Sequence, residues 1–195
     1  MNASQHPDVL ALKAAVEQHC IFKGDFTLAS GLKSPYYFDC KLGMLHGPTL
    51  LQIVKQMESI IYLNLPDLPE AVGGVTIGGS LLVGAMLIYN ASHRVDIPKN
   101  YIKYGTVVRD KPKDHGTKSL VTNTLPEGTN IVILEDVITT GGSVIRALDV
   151  FKELKYNTLG VVVLIDRQQG GVETIRDTYN VPVISIFKKD EFDLS

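Results

Sequence analysis

The chain has 195 residues, 45% of them hydrophobic and 21% charged, which fits one globular domain with a real core and not a disordered or fibrous chain. A formal net charge of -2 argues against a general nucleic-acid or membrane-surface binder. The first residues, Met1 to Asp8, lack the basic and apolar stretches of a secretory signal, and the apolar run Leu81–Tyr89 is far short of a membrane span. Cys20 and Cys40 form no Cys-x-x-Cys pair and read as buried thiols in a reducing, cytoplasmic compartment. The Asn90-Ala-Ser92 glycosylation sequon reads as chance in such a chain.

In chain order, Asp8 to about Cys20 predicts an amphipathic helix with Val9, Leu12 and Val16 on one face. Phe26–Leu42 suggests a short strand pair turning around Ser34-Pro35, and Thr49–Leu63 a second helix. Ala71–Ile77 reads as a strand ending in Gly78-Gly79-Ser80, with a helix through Tyr89, and Tyr101–Arg109 as a further strand. A charged loop, Asp110–Thr122, follows. Then come strand Asn130–Leu134, helix Ser143–Leu154, strand Leu159–Ile165, helix Val172–Tyr179 and strand Val181–Phe187. Strands alternating with helices from residue 71 onward imply an α/β fold with a mostly parallel central sheet flanked by helices. The less regular residues 1–70 are expected to form a small cap, or hood, over the sheet edge, and residues 71–195 the core of the same single domain.

The densest chemical signal is Ile131-Val-Ile-Leu-Glu-Asp-Val-Ile-Thr-Thr-Gly-Gly-Ser143. Its apolar run reads as a strand buried on both faces, and the carboxyl end of such a strand is where open α/β sheets bind ligands. Thr139, Thr140, Gly141, Gly142 and Ser143 can wrap an anion with backbone N–H groups and hydroxyls, ahead of a helix N-terminus. Glu135 and Asp136 precede that cradle and should face another part of the ligand. A ribose 5-phosphate, with a phosphate at one end and hydroxyls nearby, fits. The segment is no P-loop, because no Lys follows Gly142, and no dinucleotide fingerprint, because the Gly-x-Gly-x-x-Gly spacing is missing. It resembles the phosphoribosyl pyrophosphate (PRPP) motif of type I phosphoribosyltransferases.

A second segment, Arg109-Asp-Lys-Pro-Lys-Asp-His-Gly116, has cations, a Pro and a Gly but no apolar anchor. Alone it reads equally as a solvated surface loop or as a lid whose cations close on a diphosphate; beside the first motif the lid is the better reading. It resembles the flexible catalytic loop of the orotate phosphoribosyltransferase family. Phe26-Thr-Leu-Ala-Ser-Gly-Leu-Lys-Ser-Pro-Tyr-Tyr-Phe-Asp39 and Leu164-Ile-Asp-Arg-Gln-Gln-Gly-Gly171 resemble further segments of that family, in the same order along almost the whole chain.

The resemblance implies roles residue by residue. PRPP would be held from Glu135 and Asp136 (ribose hydroxyls, partly through Mg²⁺) through Val137 and Ile138 to Thr139–Ser143 (5′-phosphate). Gly78 and Gly79 would touch the pyrophosphate through backbone. Arg109, Lys113 and His115 would contact it through side chains, and Lys113 and His115, with Asp136, would form the catalytic set. Arg167, Thr139, Tyr37 and Phe38 would meet orotate. In the family the loop, here residues 109–118, enters the neighbouring subunit's site, so a homodimer is implied. The chain departs from the family at Ala29 and near Gly78, where some members carry Lys, and at Asp110, where many have a basic or neutral residue. Plainer readings stand beside these. Arg167 could pair with Asp166 on the surface, Tyr36, Tyr37 and Phe38 could be core, and Gly78-Gly79 an ordinary turn.

The implied function is a Mg²⁺-dependent pentosyl transfer from PRPP to orotate in pyrimidine nucleotide synthesis. Pyrophosphate leaves, positive charge develops on the ribose, and the pyrimidine nitrogen attacks, so no protein nucleophile is required. Two alternatives are a phosphoribosyltransferase for another base and a non-catalytic PRPP-binding regulator. The loop cations and the lack of a basic extension argue against the second.

Overall fold

The computed structural model describes residues 6–27, 31, 33–93, 102–109, 111 and 119–194. Helix α1 (Pro7–Cys20) starts with Pro in its first turn and runs without a break into the antiparallel hairpin β1 (Ile21–Thr27) and β2 (Lys33–Phe38). Helices α2 (Cys40–Met44) and α3 (Gly47–Asn64) follow. Then come β3 (Ala71–Val75), α4 (Gly78–His93), β4 (Tyr104–Val108) and β5 (Asn130–Ile138). The chain ends with α5 (Gly142–Glu153), β6 (Asn157–Asp166), α6 (Gly171–Tyr179), β7 (Val183–Lys188) and a 3-10 turn, Lys189–Glu191. Strands β4-β3-β5-β6-β7 lie in that order in one sheet, every neighbouring pair parallel. This is the α/β architecture that the strand–helix alternation predicts.

The two central strands show why. Val132 and Leu134 of β5 and Val162 and Leu164 of β6 join one buried cluster with Leu12 and Val16 of α1, Ile53 and Met57 of α3 and Leu82 and Met86 of α4. The alternate residues, Ile131, Ile133, Val161 and Val163, join a second cluster with Phe151 of α5 and Ile175 of α6. Both faces are therefore covered, which a parallel sheet requires. The described residues of the first seventy share the first of these cores with the sheet, and their hairpin, which contributes Phe38 to that core, forms a two-stranded ribbon separate from the sheet. Cys20 and Cys40 are buried free thiols, and the hydrogen bond they share, together with burial, pushes the Cys40 thiol well above its usual range. Asn90 is fully buried. Its amide nitrogen donates to Glu58 Oε1 at 2.5 Å and its oxygen accepts from the Ile102 N–H at 2.8 Å, so the sequon is structural.

Three boundaries differ from the sequence reading. Ser34-Pro35 does not make the hairpin turn; both lie inside β2. The register slips between Lys23 and Phe26, and this bulge faces the proline that cannot donate to a ladder. The Gly78-Gly79 pair does not form the strand-to-helix turn either: Thr76-Ile77, joined by a cis peptide, makes it, and the glycines open α4. Strand β5 extends to Ile138 because β6 keeps pairing with it as far as Ile138↔Asp166, so the acidic pair lies in the strand. The short α2 and the terminal 3-10 turn have no periodic signal in so few residues.

Close backbone contact fixes α4 on the sheet. A Cβ added at Gly74 of β3 would lie 2.7 Å from the Gly79 Cα, and one added at Gly73 would meet the Phe151 ring at 2.5 Å. Neither the strand backbone nor the helix can give way cheaply there. Gly74→Ala should lower unfolding free energy by about 1–3 kcal/mol, the usual cost of overpacking. Urea denaturation followed by circular dichroism measures it, and an unchanged midpoint would refute the close-packing account.

Candidate active site

At the carboxyl end of β5 two carboxylates are buried side by side, Glu135 and Asp136, each 8% exposed. Successive strand residues point to opposite faces, and these two diverge accordingly. Asp136 turns toward α4: a Cβ on Gly78 would lie 2.5 Å from Asp136 Oδ1, so only glycine lets the first helical turn approach the carboxylate. That places Asp136 at the positive end of the α4 dipole. Glu135 lines a small cavity of about 30 Å³ with Thr139, Gly141, Gly142 and Ser143. Burial, and the Asp136 charge beside it, push the Glu135 carboxyl up to about 8. Burial also raises Asp136, against the pull of Lys41 and of backbone amides.

The turn after β5 has the shape of an anion cradle. Gly141 caps α5 with φ 85°, a left-handed conformation that glycine adopts without strain. The N-terminus of the 12-residue α5 then opens toward the turn, and Thr140, Gly142 and Ser143 are at least partly open to solvent. Gly171, the first residue of α6, buttresses the cradle from behind. Its N–H donates to Thr139 O at 3.0 Å, and a Cβ there would meet Thr139 O at 2.5 Å and Gly141 N at 2.6 Å.

Arg109 emerges at the carboxyl end of β4, where its N–H donates to Leu120 O at 2.8 Å, and β4 pairs with β3 just before the Thr76-Ile77 turn. Gly78 and Gly79 are buried against that turn. Lys113 and His115, with Asp110 and Ala29, lie outside the described residues.

On the other side of the cradle, Arg167 follows the end of β6, its N–H bonded to Ile138 O at 2.9 Å. Its guanidinium stands over the Phe38 ring, 5.6 Å from the centroid. Asp166 does not pair with it; that carboxylate accepts from the Gln168 N–H at 2.7 Å. Phe38 is thus brought to Arg167 from the far side of the chain. Tyr37 is not: the strand pleat sends it to the opposite face of the hairpin, where it is 38% exposed and packs on Phe26 at 5.7 Å.

Several of these groups carry unspent bonding capacity. Among the described residues, Glu135 Oε2, Arg109 Nε and Arg167 Nε are buried polar atoms with no hydrogen-bond partner. Buried orphan atoms are rare, and three fall on residues that the sequence singles out for ligand binding.

Sequence reasoning missed Lys41, the second residue of α2, whose ammonium acts on both carboxylates. Its signal was faint: a lone Lys two places after Asp39, the end of the N-terminal motif. It also missed the buttressing by Gly171, although the Gly170-Gly171 pair was in view.

Comparisons with known proteins identify the family. The family model of the phosphoribosyl transferase domain matches residues 43–194. The orotate phosphoribosyltransferase of Leptospira biflexa is 35% identical over 192 residues, covering 96% of this chain and 97% of that one. That of Rhodopirellula baltica is 34% identical over 173 residues, covering 87% and 86%. Among solved structures, orotate phosphoribosyltransferase of Mycobacterium tuberculosis superposes with a TM-score of 0.79 at 26% identity, covering 95% of this chain and 98% of that one.

The raised Glu135 carboxyl has a pH consequence. It titrates near about 8 when folded and at its ordinary 4.5 when unfolded, so the folded form binds more protons across that interval. The stability it lends is complete below the lower value and is lost as pH rises through the upper one. In chelator and without ligand, melting temperature should fall from about pH 5 to about pH 8 more steeply for the wild type than for Glu135→Gln, which cannot titrate there. Parallel curves would show that Glu135 is ionised throughout.

Proposed function

This chain belongs to the orotate phosphoribosyltransferases of the phosphoribosyltransferase family, and from that premise we infer how its residues move ribose 5-phosphate from PRPP to orotate. The products are orotidine 5′-monophosphate and pyrophosphate, a step of pyrimidine nucleotide synthesis. Relatives at 34–35% identity across most of the chain bear the orotate name, which disfavours both a different base and a non-catalytic sensor. The observation that carries the reading is the neighbouring placement of two strand ends. Strand β5 delivers the acidic pair and the phosphate cradle, and β6 delivers Arg167 one strand away, held to Ile138.

The 5′-phosphate would sit in the turn Thr139–Ser143, held by N–H groups, hydroxyls and the α5 dipole. Glu135 and Asp136 would take the ribose hydroxyls, with Val137 and Ile138 carrying the chain between the two subsites. The pyrophosphate would lie toward Gly78, Gly79 and Arg109, with Lys113 and His115 closing on it by resemblance to the family loop. Orotate would lie between Phe38 and Thr139, its carboxylate taken by the two-pronged Arg167 guanidinium. As the bond to pyrophosphate stretches, the ribose gains positive charge and the departing diphosphate gains negative charge, which Arg109, Lys113 and His115 would stabilise. The anionic pyrimidine nitrogen then attacks from the Phe38 side. Positioning and charge stabilisation suffice, because the nucleophile is already activated.

The donor set fits Mg²⁺. Two carboxylates, one with a free buried oxygen, are hard ligands, and among the described residues no cluster of three or more His, Cys, Asp or Glu forms a closed cage. Carried by PRPP, such an ion would lie near Glu135 and Asp136 on the sugar side, where it would neutralise diphosphate charge.

A homodimer belongs to the same proposal. The groove between α3 and α4 presents an apolar face with Leu51 52% and Ile88 74% exposed, a surface suited to a second copy of this chain. No helix among the described residues is long and apolar enough to cross a membrane. The two reduced thiols suit a cytoplasmic setting.

Two experiments test these roles. Orotate consumption with PRPP and Mg²⁺, followed by absorbance, should show turnover in the wild type. Asp136→Asn should lower kcat by at least about tenfold, roughly 1.4 kcal/mol of transition-state stabilisation, with the fold intact. Wild-type turnover in that variant would remove the acidic pair from the mechanism. The second mixes Lys113→Ala subunits with Asp136→Asn subunits, each nearly inactive alone. One site of a mixed dimer would join an intact loop to an intact acidic pair, so activity should recover toward about half of wild type per mixed dimer, one restored site of two. Demonstrated exchange without recovery would place the loop in its own chain's site.

A further inference from the structure

The terminal 3-10 turn sits against the base end of the site by a specific set of contacts. Gln168 follows Arg167 directly and has a left-handed backbone with φ 56°, uncommon for a residue with a side chain. Three hydrogen bonds hold it there. Its N–H donates to Asp166 Oδ1 at 2.7 Å. Its amide nitrogen donates to Asp190 Oδ2 at 3.0 Å, and its amide oxygen accepts from the Asp190 N–H at 3.2 Å. The last two form a closed pair in which one side chain satisfies a side chain and a backbone group of the same partner.

Asp190 is itself fixed. The Lys188 N–H donates to Glu191 Oε1 at 2.7 Å, which caps the turn. On either side, Lys189 lies over the Tyr36 ring at 5.4 Å, and Phe192 meets the Phe38 ring at 6.2 Å. The turn therefore grips two elements at once: the hairpin that carries Phe38 and the loop that carries Arg167. Arg167 has its backbone tied to Ile138 on one side and its neighbour Gln168 clamped on the other, while its Nε has no partner among the described residues. An arginine loses several free torsions when it binds a carboxylate, so fixing its backbone in advance reduces what binding must order.

We propose that the Gln168–Asp190 hydrogen-bonded pair is a positioning device for base recognition, holding Arg167 over Phe38 in the orientation that takes the orotate carboxylate. This rests on the assignment of Arg167 to orotate. Gln168 and Asp190 need touch no substrate; they act through Arg167. Ordering of the C-terminal turn is thereby coupled to orotate affinity and not to PRPP affinity.

The test is a double-mutant cycle read in KM for each substrate, with thermal melting to confirm the fold. Gln168→Gly removes the side chain at a backbone position glycine adopts freely, and Asp190→Ala removes the carboxylate that accepts from the Gln168 amide, leaving the Asp190 N–H and the Arg167 loop untouched. Each should raise KM for orotate roughly fivefold to tenfold, the weight of one or two polar hydrogen bonds, and leave KM for PRPP within about twofold. Asp190→Asn keeps the acceptor oxygen and should restore the wild-type KM. In an Arg167→Ala background, Gln168→Gly should add less than about twofold, because its route of action is gone. Additive effects in that background, or equal changes in both KM values, overturn the positioning role while leaving Arg167 assigned. An Arg167→Ala variant with unchanged KM for orotate overturns the assignment itself, and the clamp with it.

Discussion

The burial of two adjacent carboxylates at the end of a strand covered on both faces is the constraint around which the molecule is arranged. Isolated carboxylates in such a place favour their neutral forms, and the Glu135 carboxyl rises to about 8 for that reason. The arrangement persists because the pleat separates the two groups. Asp136 goes to the positive end of α4, and Glu135 goes to the cavity beside the turn before α5. Each carboxylate thus lies by a helix N-terminus, on opposite faces of one sheet.

Glycines bring those helix ends close enough to matter. Gly74 and Gly79 let α4 touch β3 backbone to backbone, Gly78 lets its first turn reach Asp136, and Gly171 lets α6 press on the cradle. These positions lie far apart in the chain, and each would collide with backbone or carboxylate if it carried a Cβ. The acidic pair and the Thr139–Ser143 turn are therefore rigidly framed, because the surrounding contacts cannot yield without moving a strand.

The Arg167 end of the site is built differently. Instead of backbone contact it uses a guanidinium over an aromatic ring, with the terminal turn joining the hairpin to the β6 loop. Side-chain contacts of this kind adjust more readily than packed backbone.

The sequence alone determined the fold class, the cradle and the acidic pair. The fold class is written in strands alternating with helices, and the acidic pair and the turn in one apolar run that ends in carboxylates and Thr-Thr-Gly-Gly-Ser. Tertiary structure decided what depends on residues distant in the chain. It separated Tyr37 from Phe38 by the pleat of a strand whose limits the Ser-Pro step obscured. It carried β5 past Leu134, because β6 continued to offer hydrogen bonds. It brought Lys41 to the carboxylates, Gly171 to the cradle and Asp190 to Gln168. No local periodicity encodes these encounters, since they arise from how separately formed helices and strands pack together, and packing follows from the shape of the whole core.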